Sequence, residues 1–333
     1  MPRGPKNSLT DVEGIQVGHY LSAPHLCGVS VALCPQGAVA GVDVRGAAPA
    51  TRETDLLAPL NLVQEVQAVV LTGGSVFGLA SADGVVRWLA SRGWGFPLDE
   101  GQVAPIVPAA AFYDLGRGQD YVPPIDATWG ARACQDAQDG PVPLGNSGAG
   151  IGAVAGGIKG GLGSASEVLK NGLTAAALVV VNCLGSVIDS ASGLPWEARL
   201  ELDGELGDLG RRAVRLPGQG PGQAARNTTI GIVATDAVLT KAQAQKMAQM
   251  AHDGLARAIR PAHTMFDGDT IFCLATGRRP LPQTPGFFAG AQAQALNELG
   301  RAMADCFSRA IMRGVLAATS LGGFSALRDL PPL

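Results

Sequence analysis

Asn227-Thr228-Thr229-Ile230-Gly231-Ile232-Val233-Ala234 is where the reading of this chain turns. β-Branched residues and apolar alternation make it a strand start. Immediately upstream, Asp203 to Arg226 carries Gly204, Gly207, Gly210, Pro217, Gly218, Gly220, Pro221 and Gly222, with charges and little periodicity. That composition reads as a flexible surface linker. A linker running straight into a buried strand is an unusual domain boundary but a suitable place to cut a chain.

Working outward, Gly28–Leu33, Ala38–Val44, Ala68–Leu71, Ala177–Val181 and Thr229–Ala234 read as buried strands. Ser75–Ser91 and Thr240–Ile259 have helical spacing, with Thr240 as N-cap, and Ala291–Ala318 is a long Ala/Leu/Met helical pattern. The apolar share is 47% of 333 residues, with only 5% aromatic, so Ala, Val, Leu and Gly dominate. Small side chains let layers approach closely, which favours an α/β fold of stacked sheets covered by helices. Strand order is not readable from the pattern.

The charge balance narrows the function. Net charge is −3 with no long basic run, so no nucleic acid or anionic membrane partner is expected. The longest apolar run is too short to cross a bilayer, and Met1 to Tyr20 lacks the apolar block of a signal peptide. A soluble cytoplasmic protein is the expectation. Cys27, Cys34, Cys134, Cys183, Cys273 and Cys306 form no C-x-x-C pair and read as buried thiols. The four histidines, His19, His25, His252 and His263, are scattered without ligand spacing, so neither metal nor cofactor is expected.

Thr228 carries the chemistry. A hydroxyl is a weak nucleophile until a base takes its proton. An N-terminal Thr supplies that base through its own α-amine, whose pKa is roughly 8 against about 10.4 for a lysine. Thr228 becomes N-terminal only if the Asn227–Thr228 bond is cut, with the same hydroxyl attacking the Asn227 carbonyl and water opening the resulting ester. The expected products are segments 1–227 and 228–333 of one hydrolase domain. Read blandly, Thr228-Thr229 is ordinary strand sequence.

Other residues offer partners for Thr228, each with a plain alternative. Phe266-Asp267-Gly268-Asp269-Thr270 sets two carboxylates two residues apart, on one face if extended. Mutual repulsion favours one carboxyl keeping a proton that it can donate; a turn, with or without a bound cation, is the alternative. Asn182 ends the apolar run Val180-Val181, aimed either at an oxyanion or at a turn. Lys159, among Gly156-Gly157 and Gly160-Gly161, either reaches the nucleophile, polarises a carbonyl, or is solvated. Gly145-Asn146-Ser147-Gly148-Ala149-Gly150 lacks the G-K-[ST] of a phosphate loop and fits a substrate cleft through Gly148 and Gly150. Ser75, after Thr72-Gly73-Gly74, either binds an anion or packs a strand against a helix. Tyr113 is core or cleft lining.

Taken together, Leu71-Thr72-Gly73-Gly74-Ser75-Val76-Phe77-Gly78-Leu79, Val107-Pro108-Ala109-Ala110, Lys159-Gly160-Gly161, Asn182 and Asn227-Thr228-Thr229-Ile230 resemble the L-aminopeptidase/D-esterase (DmpA) family, which includes β-peptidyl aminopeptidases and nylon-oligomer hydrolases. The resemblance runs nearly end to end. It implies a four-layer αββα sandwich similar to N-terminal-nucleophile hydrolases but with its own connectivity. It also implies autocatalytic scission and a homotetramer. It gives Thr228 as nucleophile, Asn182 as oxyanion donor, and Lys159, Tyr113, Asp267 and Asp269 as neighbours of the nucleophile. Asn227-Thr228 and Asp267-Gly268-Asp269 look like the nylon-oligomer branch; the aminopeptidase branch usually has Ser after Gly, and Ser-x-Glu. The implied activity is hydrolysis of small peptides or ω-amino-acid amides without a cofactor. A non-catalytic small-molecule binding protein and an amino-acid acyltransferase are the alternatives.

Overall fold

Strand β2, Cys27–Val44, is the hinge of the architecture. Two separate strands, Gly28–Leu33 and Ala38–Val44, were expected here. The chain instead continues through a register shift between Leu33 and Ala38, and Gly37 takes φ +81° to make the bend. The first half of β2 pairs with β1 (Gln16–Ser22) and β4 (Glu65–Thr72), and its second half pairs with β13 (Thr270–Arg279). One strand thereby serves two layers.

The computed structural model describes residues 2–217, 227–283, 285–287 and 292–333. After β1 and β2 come β3 (Ala50–Arg52), β4, helices α1 (Ser75–Gly78) and α2 (Ser81–Ala90), β5 (Phe96–Pro97), β6 (Val103–Ala104), β7 (Ala109–Ala111) and α3 (Ala127–Asp136). Then follow β8 (Val154–Ala155), β9 (Ile158–Lys159), β10 (Gly161–Val168), β11 (Thr174–Asn182), β12 (Thr228–Ala237), α4 (Lys241–Ala258), β13 and α5 (Ala293–Ala317). Among the described residues, nine strands share one hydrogen-bonded path, β10-β11-β12-β13-β2-β4-β7-β3 with β1 on the other edge of β2. The β12–β13 and β4–β7 pairs are parallel; the rest are antiparallel.

Alternation along the strands divides the core in three. On β12, Ile230, Ile232 and Ala234 face the same cluster as Leu178 and Val180 of β11 and Leu71 of β4, so the two halves of the folded sheet pack on each other. Val233 and Val179 face the opposite way, against Met247 and Leu255 of α4 and Phe307 and Ile311 of α5. Val29 and Val31 of β2 face Val85 of α2 and Trp129 of α3. Three clusters between four layers make the αββα sandwich.

Small residues set the spacing. An added methyl on Gly163 of β10 would lie 1.8 Å from the Ala310 carbonyl oxygen, so α5 rests on the sheet backbone itself. Helix α4 starts where expected, with Thr240 and Gln243 forming a capping box. The helix expected at 75–91 is broken between α1 and α2. The linker expected at 203–226 is only partly tested, because 218–226 lies outside the described residues. Residues 203–217 are not loose: Leu206 and Val214 join the core, and the Glu205 carboxylate is fully enclosed against Arg309 of α5. Composition reported the glycines and missed this anchor.

Candidate active site

Thr228 and Asn182 are register partners across β12 and β11. Directly opposed residues on antiparallel strands project from the same face with Cβ atoms about 4.5–5.5 Å apart. That face is the inter-sheet one, as the positions of Ile230 and Val180 require. Both polar side chains therefore sit at the end of the central apolar layer, where the strands stop. Thr228 is 4% exposed and Asn182 is 0% exposed, so each must be held by hydrogen bonds.

The holding atoms are specific. The Gly268 N–H donates to Thr228 Oγ1 at 3.1 Å, and Oγ1 donates to the carbonyl oxygen of Asn227. The hydroxyl thus lies against the carbonyl of its own preceding peptide bond. A methyl on Gly268 would stand 2.7 Å from the Ala48 oxygen and 3.0 Å from Thr228 Oγ1, so glycine is needed for this approach. Asn227 also bridges Asp267 in parallel register, bringing the junction alongside the acidic loop.

The two carboxylates were expected to face the nucleophile together. They flank it without touching the hydroxyl; the backbone N–H between them makes that contact. Asp267 accepts from the Thr264 hydroxyl at 2.6 Å and its N–H at 3.0 Å, with a long 3.5 Å contact from Leu184 N. Burial raises its pKa, opposed by the Thr264 donors and reinforced by the charge of Asp269. Asp269 receives the Thr229 N–H at 2.7 Å and His263 Nδ1 at 2.8 Å, clamping the strand one residue past the junction.

Asn182 is oriented from behind. Its Oδ1 accepts from Val154 N at 3.0 Å and from Arg117 Nη1 at 2.6 Å, while Nδ2 makes one long 3.3 Å bond to the Tyr113 carbonyl. With the oxygen occupied, an Nδ2 hydrogen is left for another acceptor. Tyr113 is brought here through its backbone; its hydroxyl meets that of Tyr121 at 2.8 Å.

Lys159 was expected to reach the nucleophile, to polarise a carbonyl, or to be solvated; it is not solvated, and its contacts are backbone carbonyls. It is 1% exposed, and Nζ donates to the carbonyls of Gly150 (2.9 Å), Ala153 (2.9 Å) and Gly160 (3.1 Å). Burial, then the Arg117 charge, push its pKa down to about 7 against a raising effect of Asp114. Its cage braces the Gly148–Gly152 turn that precedes Val154, the donor to Asn182. Gly150 contributes a carbonyl to that cage. Gly148 takes φ +48° against Ser30 and His19, so packing accounts for it. Ser75 donates its N–H to the Phe112 carbonyl at 2.9 Å, tying the strand–helix turn to the segment that carries Tyr113. Its packing alternative is the one the contacts describe.

Sequence reasoning overlooked Asp114, Arg117 and His263. Asp114 is enclosed beside Gly73, with Oδ1 accepting from Gly74 N at 2.6 Å and burial pushing its pKa up to about 6. The first two lie in the irregular segment after β7, where no periodicity marks a side chain's direction. All six cysteines are free and buried. Among the described residues no group of side chains could hold a metal ion, and no helix is long and apolar enough to cross a membrane.

A buried hydroxyl at a strand start, opposed by an amide and flanked by acids in a four-layer αββα sandwich, defines the class: a hydrolase of the N-terminal-nucleophile fold. The chain belongs to peptidase family S58, whose profile matches residues 7–328, and it acts on peptide or amide bonds. It is 47% identical to an uncharacterized aminopeptidase of Mycobacterium leprae, covering 96% of this chain and 92% of that one. It is 30% identical to a 6-aminohexanoate-oligomer endohydrolase of Kocuria sp., over 91% of this chain and 84% of that one. Among solved structures, a Burkholderia sp. beta-aminopeptidase superposes with TM-score 0.71 at 25% identity, over 95% and 88% of the chains. The L-aminopeptidase D-Ala-esterase/amidase of Ochrobactrum anthropi superposes with TM-score 0.72 at 23% identity, over 96% and 89%, and shares the fold.

Proposed function

We propose that Thr228 is the nucleophile and that the chain activates itself by cutting Asn227–Thr228. The observation that carries this is the Thr228 hydroxyl held between the Gly268 N–H and the Asn227 carbonyl, opposite Asn182. In the first stage, Oγ1 bonds to the Asn227 carbonyl carbon and the C–N bond breaks. The displaced nitrogen takes the hydroxyl proton, and water then hydrolyses the ester. The products are the Asn227 carboxylate and a free Thr228 α-amine beside Asp267.

In turnover, the amine accepts the hydroxyl proton as Oγ1 attacks the substrate carbonyl, and returns it to the leaving amine; water, giving its proton to the α-amine, then opens the Oγ1 ester, releasing the acid and restoring the hydroxyl. Asn182 Nδ2 donates to the oxyanion, a role typically worth about 10²–10³ in kcat. Asp267 and Asp269 fix the loop and the strand around the nucleophile; Lys159 braces the turn behind Asn182. Substrates are small α-peptides or ω-amino-acid oligomers, the two classes suggested by the names of the relatives. We further propose a cytoplasmic homotetramer; the six reduced cysteines suit a reducing compartment.

An acylating p-nitrophenyl ester, followed by peptide mapping, tests the assignment. The acyl group is expected on Thr228, and Thr228→Ala is expected to take up none. Stoichiometric acylation elsewhere in active enzyme would overturn it.

A further inference from the structure

Arg117 uses only part of its guanidinium inside the protein. Nη1 donates to Asn182 Oδ1 and to the Gly152 carbonyl. Among the described residues Nε and Nη2 have no acceptor, yet neither is one of the enclosed polar atoms left without a partner. That edge is therefore not wholly enclosed: Arg117 is half-buried overall, and burial is the largest influence on its charge, lowering its pKa to about 10. Asp114, the carboxylate whose field reaches Arg117, makes no ion pair with it and spends Oδ1 on the Gly74 N–H. The other nearby cation, Lys159, has its three N–H groups on carbonyls. Among the described residues no carboxylate lies within ion-pair distance of Arg117; the enclosed Asp114 Oδ2, itself without a hydrogen-bond partner, acts on it through its field alone.

The Nε–Nη2 edge of a guanidinium is a planar fork that matches the two oxygens of a carboxylate. Here that fork is attached to the atom that orients Asn182, opposite Thr228. A carboxylate seated on it lies on the order of two extended residues from a carbonyl held by Asn182. We propose that Arg117 binds a free carboxylate of the substrate, so that the site favours short amides carrying an anionic end close to the scissile bond. This rests on the assignment of Thr228 and Asn182 above and adds the substrate class. It also gives Arg117 two tasks on one group: Nη1 sets the Asn182 amide and the opposite edge reads the substrate.

The test compares substrates differing only at that end: Ala-Ala with its carboxamide, and the linear 6-aminohexanoate dimer with its carboxamide. Purified full-length protein is used after any self-processing. The wild type is expected to prefer the carboxylate member of at least one pair by about 10- to 100-fold in kcat/KM, the range for a charge-assisted pair. Arg117→Gln is expected to slow both members through Asn182 and to bring the ratio near one; Arg117→Lys keeps an intermediate ratio. The same compounds serve as competitive inhibitors of p-nitroanilide hydrolysis, with the same ordering expected in Ki. Equal kcat/KM and equal Ki for both members in the wild type overturn the proposal, as does an unchanged preference in Arg117→Gln. Should Arg117→Gln fail to fold, the wild-type ratio and Arg117→Lys decide. Thr228→Ala, assayed alongside, separates the two claims: activity surviving there refutes the nucleophile, while loss there with a wild-type ratio of one refutes only the carboxylate site.

Discussion

Replacing Glu205 with Ala should unfold this protein far more readily than a loop substitution normally would. The Glu205 side chain is 0% exposed and Arg309 is 1% exposed. Both carboxylate oxygens are engaged by Arg309, with Nη2 at 2.8 Å, and the carboxylate also accepts from Asn7 Nδ2 and from Leu202 N at 3.2 Å. Removing it leaves the Arg309 charge in the core with neutral acceptors, the Ser166 carbonyl and Asn7 Oδ1, both at about 3 Å, and the Cys306 sulfur at 3.8 Å. Breaking one side of a buried pair costs about 3–5 kcal/mol. Urea unfolding of Glu205→Ala should show that loss at unchanged m-value. Paired replacement, Glu205→Leu with Arg309→Met, should recover at least half of it, because the fully enclosed charge is then gone; Arg313, 3.6 Å from the same carboxylate, keeps the Asn7 and Ser164 carbonyls. Burial opposes ionisation of Glu205, but the Arg309 bond and charge and the Asn7 bond outweigh it and hold its pKa below the ordinary value. A lowered carboxyl pKa gives stability that is present above the unfolded-state pKa and is lost as pH falls through the folded one. The Glu205-dependent part should therefore fade on acidification below about pH 4. A change under about 1 kcal/mol for Glu205→Ala at pH 7 would refute the anchor.

Three further outcomes follow from the geometry. Gly163→Ala should cost about 1–3 kcal/mol in denaturant unfolding, since its methyl falls on the Ala310 carbonyl and α5 must move. Gly268→Ala should lower kcat/KM on the order of 10²-fold with a smaller change in unfolding midpoint, because it displaces the N–H that holds Thr228. Asp114 has its pKa raised to about 6 by burial, so the native state binds more protons than the unfolded chain between about pH 4 and 6. Its contribution is present at the acid end of that window and is lost as pH rises through about 6, and Asp114→Asn should flatten that slope in stability-versus-pH measurements.

The parts of this molecule legible in its sequence were those with a period. Ile230, Ile232 and Val180 alternate, so strands β11 and β12 were readable, and Thr228 and Asn182 stood out as polar residues ending apolar runs. Asp267 and Asp269 were visible as a pair, but their targets were not: which donor faces a carboxylate depends on Thr229, His263 and Thr264 arriving from other turns. Arg117 and Asp114 lie in coil, where no period assigns a direction. Glu205 was hidden for a related reason, its partner being 104 residues away in a helix. Gly28–Leu33 and Ala38–Val44 read as two strands because the residues of a bulge within one strand, here between Leu33 and Ala38, are also those of a turn between two.

The most direct test of the central claim is N-terminal sequencing of purified, active protein together with its intact mass. The account predicts two fragments, one beginning at Thr228 and one ending at Asn227, and a single uncut species for Thr228→Ala. Full activity from a population that is wholly uncut, with no chain starting at Thr228, would contradict it.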